Sequence, residues 1–489
     1  MLLYTCAILF VVTAAGIAGA TSLRVAPVVP TSHQGGIDEQ PAHGPAAYRH
    51  ALRAHLLSSS STTTAPAPVP APAPAPPPAS PKQKWRLSVG CHHWGPGCWV
   101  PGFQGTDSSP TVGPDGYVVI ASYNSNVYSV HADTGHVRWT APGGGESSPF
   151  LTRDNKVLIP SYSSLQKLDG ATGKKEWSWA PTTWDGSIAS AGAIDDDLGL
   201  VFAGALDDNM YAVDLATGKT RWTYASGGEI WSSLGSLNLA SKGLVCFGVG
   251  GSAIPSSDCH AAVHCVRKAD GKRAWVGRTG KQIQSRPAFG NRTNAVFVGD
   301  YDNCVYAFDA DAGQPLWKTC TKGRVESSPA VFSDDAAGRE IVAVGSGDGF
   351  LYGFDGATGR ELWKTRCNSA VGVAGGGVLS SPWIHAPSAT AFVGGGGISA
   401  VNVRTGALQW HFAPAGGDAG AQFGASPYVT ADGSTLYEGG EDGYLYALDL
   451  TAVKTEQQKQ ADEQGSRGSR PSAAPLRGGR PRPTVAAVM

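Results

Sequence analysis

The chain has 489 residues, with Gly (65) and Pro (33) abundant, charged residues at only 16% and hydrophobic residues at 42%. Turns are plentiful and core material is present, which excludes a long helical bundle. Lys and Arg total 38 against 39 Asp and Glu, a net charge of −1, and this removes the bulk electrostatic case for nucleic-acid binding.

Residues 1–20, MLLYTCAILFVVTAAGIAGA, form one apolar run ending in Ala18-Gly19-Ala20, the small-x-small pattern of a secretory cleavage site. The expectation is a signal peptide and a secreted, lumenal or cell-surface protein. The run lacks a basic start, so an uncleaved anchor is the alternative. Position 21 is Thr and not Cys, which argues against bacterial-type lipid attachment. No other stretch is long and apolar enough to span a bilayer. Residues 21–81 are rich in Pro, Ala, Ser and Thr and close on STTTAPAPVPAPAPAPPPASP, an extended, coreless linker. Residues 453–489 are rich in Gln, Arg, Gly and Pro, with Arg467, Arg470, Arg477, Arg480 and Arg482, and read as a disordered basic tail. Between these flanks, residues 82–452 hold 28 basic and 34 acidic side chains, so the middle is acidic.

That middle repeats itself. Seven segments share a small or variable residue, a Gly six positions later and a Trp ten positions later: Ser129-Gly135-Trp139, Lys167-Gly173-Trp177, Ala212-Gly218-Trp222, Cys265-Gly271-Trp275, Ala307-Gly313-Trp317, Gly353-Gly359-Trp363 and Ala400-Gly406-Trp410. Successive Trp residues lie 38, 45, 53, 42, 46 and 47 apart, the period of a propeller blade. Each unit reads as four short strands. A Ser-Ser-Pro start such as Ser327-Ser328-Pro329 leads to strand a, Ile341–Val344 typifies strand b, and Ser346-Gly347-Asp348-Gly349 makes a tight turn. Leu351–Phe354 is then strand c, and Thr358-Gly359 turns into strand d with Trp363. The eighth unit runs to Asp449 and loses its Gly and Trp, whereas Lys84–Ser88, with Trp85, has the look of a strand d lacking a, b and c. The expected fold is an all-β, eight-bladed propeller of four-stranded antiparallel blades over residues 82–452, closed by its N-terminal strand.

The Ala-x-Asp-x-x-x-Gly-x-x-x-Trp pattern, intact in Ala212 to Trp222 and Ala307 to Trp317, resembles the tryptophan-docking repeat of the pyrroloquinoline-quinone-like propellers. The resemblance implies a fold that serves both bacterial quinoprotein dehydrogenases and a non-enzymatic outer-membrane assembly scaffold, so activity must be argued from the site. The dehydrogenases use adjacent cysteines over the quinone, a calcium ion and a catalytic Asp. This chain has neither a Cys-Cys pair nor a C-x-x-C-H haem site. The expectation is a monomeric, non-enzymatic scaffold without cofactor that binds a protein or peptide, and no nucleic acid, through an acidic face. The alternative is an alcohol or sugar oxidoreductase holding pyrroloquinoline quinone and calcium in the central funnel.

In a four-stranded blade the b–c turns and d–a connections share one face. The residues ahead of each strand a, Asp107, Glu146, Trp231, Gln284, Glu326, Leu379 and Gly424, with Arg286 and Arg324 nearby, then line a funnel mouth able to take a polar ligand or peptide; a hydrated channel is the plainer reading. The b–c turns add Asp207, Asp208, Asp300, Asp302, Asp348, Glu441 and Asp442, residue types that such turns favour for themselves.

Eight cysteines follow the signal run, an even count that favours disulfides in a secreted chain. Cys91 and Cys98 frame a Gly-Pro turn and are expected to pair. Cys246, Cys259, Cys265 and Cys304 permit three pairings, and Cys320 with Cys367 is a further candidate. Zinc at Cys91-His92-His93…Cys98 or Cys259-His260…His264-Cys265 is the alternative, without a standard finger spacing. No nucleophile-elbow signature supports a Ser/His/Asp triad around His385 or His411, and Gly394–Gly397 reads as a turn rather than a phosphate loop. Asn291-Arg292-Thr293 is the one glycosylation sequon, placed in an a–b turn.

Overall fold

The structure is a computed structural model that describes residues 80–90, 106–145, 147–161, 163–181, 187–188, 192–234, 242–250, 261–367, 377–378, 380–414 and 422–453. The expected signal, most of the linker and the tail beyond Val453 lie outside the described residues, as do Cys91, Cys98 and Cys259. Among the described residues no helix is long and apolar enough to cross a membrane.

Eight antiparallel sheets follow one another along the chain: blade 1 over 111–142, blade 2 over 150–179, blade 3 over 193–225, blade 4 over 244–278, blade 5 over 288–320, blade 6 over 330–366, blade 7 over 383–412 and blade 8 over 428–449. Seven are four-stranded, and blade 4 shows three described strands. The fourth strand of blade 8 is Lys82–Ser88, hydrogen-bonded to Tyr444–Asp449 with Trp85 opposite Ala447. The N-terminal strand therefore closes the ring, which covers an edge that would otherwise present unpaired N–H and C=O groups.

The core lies in the seams between blades. Cys246, Val263 and Trp275 of blade 4 pack against Val296, Val298 and Phe308 of blade 5, and blades 6 and 7 meet through Ile341, Leu351, Trp363, Ala391 and Val393. The repeat spacing now has a cause. Trp85, Trp139, Trp177, Trp222, Trp275, Trp317 and Trp363 each donate the indole N–H, at 2.9–3.1 Å, to a backbone carbonyl of the following blade. The ring also lies flat on that blade's c–d turn glycine. A Cβ at Gly135, Gly173, Gly218, Gly271, Gly313, Gly359 or Gly406 would stand 2.6–2.9 Å from the Trp side chain, and all seven have φ of +67° to +75°. Glycine is required twice over, for room and for conformation. The residue ten positions before each Trp is usually small because it sits directly across the c–d ladder, Ala212 opposite Trp222 and Gly353 opposite Trp363. The ladder slips by one residue just after it in blades 1 to 7, a bulge that aims the indole at the neighbour.

The seam from blade 7 to blade 8 departs from this scheme. Trp410 is buried, but blade 8 carries a helical turn, Thr451–Val453, in place of Thr-Gly, and Trp410 packs with Leu450 and Val453. On strand b of blade 8 stands Glu438, fully buried with no hydrogen-bond partner at either carboxylate oxygen. The matching positions in the other blades, opposite the same strand c position, are Ile120, Ile159, Ala203, Phe247, Val298, Val344 and Val393.

Two disulfides join directly opposed strand residues: Cys246–Cys265 within blade 4, with Cα atoms 4.1 Å apart, and Cys304–Cys320 within blade 5, at 3.9 Å. This corrects the pairing of Cys320 with Cys367. Cys320 faces Cys304 across one ladder, while Cys367 is a buried free thiol. It also removes the zinc set ending in Cys265, because that sulfur is bonded and His264 is buried with its Nδ1 3.0 Å from the Tyr224 hydroxyl.

Glu438 generates a prediction with a defined sign. Burial holds its pKa well above 4.5, so the fold keeps the proton that the unfolded chain releases once pH passes 4.5, and the fold is penalised progressively above that value. Glu438→Met removes an unsatisfied buried group and should stabilise by about 1–3 kcal/mol at pH 7.5. Melting curves should show that gain shrinking toward pH 4.5; an equal gain at both pH values would contradict the assignment.

Candidate functional site

Strands a of blades 5 to 8 touch one another in succession, which makes them the inner strands around the axis. Each is approached by a repeated step of a buried residue, a variable residue, Ser and Ser. In blade 6 these are Val325, Glu326, Ser327 and Ser328. The first Ser is buried and accepts an N–H from strand b of its own blade: Ala121 to Ser108 at 3.2 Å, Gly299 to Ser285 at 2.8 Å, Gly345 to Ser327 at 3.0 Å and Gly394 to Ser380 at 3.0 Å. The second position links blades. The N–H of Arg286 donates to Ser328 Oγ (2.9 Å), Ser328 to Ser381 (2.9 Å), Ser381 to Ser426 (3.1 Å), Ser426 to Ser109 (3.0 Å) and Ser109 to Ser148 (2.8 Å). A belt of serines thus runs round the inner circumference from blade 5 through blade 8 to blade 2.

The variable residues form the mouth above this belt. Asp107, Trp231, Gln284, Glu326 and Gly424 take these places, while Glu146 and Leu379 lie outside the described residues. Most of the polar groups are engaged within the protein. The Tyr123 hydroxyl donates to Asp107 at 2.7 Å, and the Trp231 indole donates to Glu229 at 2.7 Å. Glu326 accepts the Tyr301 hydroxyl and pairs with Arg324 Nε at 3.0 Å, the guanidinium lying 5.4 Å over the Tyr301 ring. A Cβ at Gly424 would sit 3.3 Å from Asp107 and 3.4 Å from Glu441, so two carboxylates flank one glycine. Burial raises the pKa of Asp107 although Tyr123 opposes it, and burial with the Asp107 charge pushes Glu441 up to about 7.

The turn acids meet the mouth on the same face, because the d–a connections pack on the b–c turns. Lys281 N–H donates to Asp300 at 3.1 Å, and Lys322 N–H to Asp348 at 2.9 Å. What the sequence reading missed is a strut four residues along. Tyr211 donates to Asp207, Tyr306 to Asp302, Tyr352 to Asp348 and Tyr446 to Asp442, at 2.5–2.7 Å. The signal was available as Asp-x-x-x-Tyr, with a Tyr at the same strand c register each time. Asp300 is fully buried, and burial pushes its pKa up to about 7. Asp208 is exposed, with φ +66° in its turn. Lys281, Lys322 and Arg324 are exposed among these acids, so the face is mixed in sign.

Ser399 Oγ lies 3.0 Å from His411 Nδ1, but Ser399 is fully buried and unavailable to a substrate. Asn291 is exposed in the turn between Ala288–Gly290 and Ala295–Gly299, where a glycan would have room. Gly394 and Gly395 end strand b of blade 7 and Gly397 opens strand c, so this glycine run is a hairpin.

The family model described as "Outer membrane protein assembly factor BamB" matches residues 78–229, 223–337 and 305–488. Among curated proteins, the serine/threonine-protein kinase AfsK of Streptomyces griseus is 27% identical over 179 residues, 35% of this chain and 20% of the kinase. The dehydrogenase subunit of a quinone alcohol dehydrogenase from Gluconobacter oxydans is 32% identical over 87 residues, 16% of this chain and 11% of that protein. The chain therefore spans a fifth or less of the length of these two relatives. Among solved structures, BamB from Moraxella catarrhalis superposes with a TM-score of 0.55 at 16% identity, covering 76% of this chain and 98% of that one, a likeness of fold.

The paired carboxylates at Gly424 give a direct check. Carboxyl-carbon NMR should show Glu441 titrating with a midpoint about 7, and Asp107→Asn should move that midpoint down by removing the neighbouring charge. A Glu441 midpoint near 4.5 in the unaltered protein would show that the two carboxylates are not held together.

Proposed function

The chain belongs to the family described as outer membrane protein assembly factor BamB, and we propose on that premise that it is a non-enzymatic binding module. A protein or peptide partner docks on the face formed by the b–c turns and d–a connections. The observation that carries this reading is the engagement of the mouth: Asp107, Glu326, Asp302, Asp348 and Asp442 each already hold a tyrosine hydroxyl. Groups tied in this way make a rigid polar rim suited to recognition, with few groups free to change partners during a reaction. Exposed Lys281 and Lys322, with the exposed Asp208 on another turn, offer a partner both signs of charge. The apolar run at residues 1–20 supports delivery through the secretory route, with residues 21–81 as a spacer and the propeller acting as a monomer.

The second reading, a quinone-dependent oxidoreductase, is favoured by the 32% identity to the Gluconobacter subunit. The residues fit that cofactor poorly. Calcium needs several converging oxygens, and among the described residues no three His, Cys, Asp or Glu side chains gather to hold a metal ion. Trp231 offers one wall for a quinone, and no adjacent cysteine pair supplies the other.

Two measurements on the full mature chain separate the readings. Offered pyrroloquinoline quinone, calcium and a dye acceptor, it should oxidise neither alcohols nor sugars, and photo-crosslinkers placed at Lys322 and Asp208 should capture the same partner from the secreted fraction. Stoichiometric quinone binding lost in Trp231→Ala would promote the oxidoreductase instead.

A further inference from the structure

We infer that the serine belt inside the channel is an oxoanion site centred on Arg286, beyond the partner-binding face and independent of it. The second position of each Ser-Ser step is Ser109, Ser148, Ser233, Ser328, Ser381 and Ser426 in blades 1, 2, 4, 6, 7 and 8, whereas blade 5 places Arg286 there. Its backbone joins the belt by donating to Ser328, so the strand is in register and only the side chain differs. That side chain stands at the start of an inner strand, beside the belt, and is exposed. Desolvation lowers its pKa.

The hydrogen-bond inventory sets the chemistry. A serine hydroxyl that accepts an N–H keeps its own O–H to donate. Ser109, Ser148, Ser328, Ser381 and Ser426 each accept one N–H from the neighbouring blade, and among the described residues none of these hydroxyls has an acceptor. Arg286 likewise has no acidic partner among them. The acid nearest along the rim, Glu326, is already paired with Arg324 and Tyr301, and Asp107 holds Tyr123. Among the described residues the belt thus presents a row of donors with one fixed positive charge and no matching acceptors. A ligand that satisfies it must bring several acceptor oxygens and negative charge, which describes a phosphate- or carboxylate-type oxoanion.

Inorganic phosphate and acetate are the probes, titrated calorimetrically into the full chain against sodium chloride at equal ionic strength. One oxoanion should bind per chain, and the acetate arm tells whether a planar carboxylate or a tetrahedral anion fits better. Arg286→Gln should weaken binding roughly tenfold or more, Arg286→Lys should give an intermediate loss because charge is kept and the fork is not, and Ser381→Ala should cost about two- to fourfold. Melting temperatures without anion establish that the variants fold, and crosslinking at Lys322 in the same buffer keeps failure here distinct from failure of the partner reading. Binding unchanged in Arg286→Gln, or no binding of either anion beyond that of chloride, would overturn the inference.

Discussion

One contact determines this architecture: an indole laid on a glycine of the next blade. The contact joins three effects at one place. The Trp ring buries a large apolar surface, its N–H donates to a backbone carbonyl of the next blade, and the glycine supplies both a positive φ and the missing Cβ that lets the ring close. Seven seams repeat it with N–H···O distances of 2.9–3.1 Å. Because each clasp joins consecutive blades, blade-to-blade geometry is repeated, and repeating one rotation is what closes a ring rather than building an open stack. The small residue opposite each Trp and the bulge beside it are consequences of the same contact.

The eighth seam shows what happens where the clasp is altered. Trp410 meets Leu450 and Val453, and the adjoining strand carries Glu438 where the other blades are apolar. Apolar packing holds this seam with an unpaired carboxyl inside it. The ring is completed elsewhere by hydrogen bonding, with Lys82–Ser88 sharing a sheet with the three other strands of blade 8. Inside the ring the same periodicity brings one residue per blade to the axis at every level. The turn acids tied to tyrosines, the mouth residues and the serine belt are successive levels of one repeat, and a single change such as Arg286 gives the channel a polarity the repeat itself lacks.

The parts of this organisation that were legible in the sequence are those set by repetition. Trp, Gly and Ser-Ser recur because each seam makes the same demand, so their spacing reveals blade number, strand order and the N-terminal strand's role. The state of the face was less legible. Asp302 and Asp348 read as ordinary turn residues on an acidic face, and the tyrosines four residues on that hold them emerge only when strand register is followed across the turn. The pairing of Cys320 failed for a related reason. Cys304 and Cys320 are neighbours across a ladder, whereas the pairing of Cys320 with Cys367 was drawn from similar heights in adjacent blades, which a seam filled by indole and valine keeps apart. Arg286 was visible as a residue near the mouth, but its isolation depends on where every neighbouring donor and acceptor is directed.

The clasp is tested most directly by two glycines alike in backbone and unlike in surroundings. Gly313 has φ +67° and a Cβ there would stand 2.6 Å from the Trp275 ring, whereas Gly338 has φ +65° with nothing within 4 Å of that point. Alanine at Gly338 should cost only the left-handed backbone strain, about 1 kcal/mol. Alanine at Gly313 should add the loss of the blade 4–5 clasp and lower stability by about 3 kcal/mol or more, with the whole propeller melting earlier. Equal losses in urea denaturation of the two variants would contradict the account, for the indole-on-glycine contact would then contribute nothing beyond the turn itself.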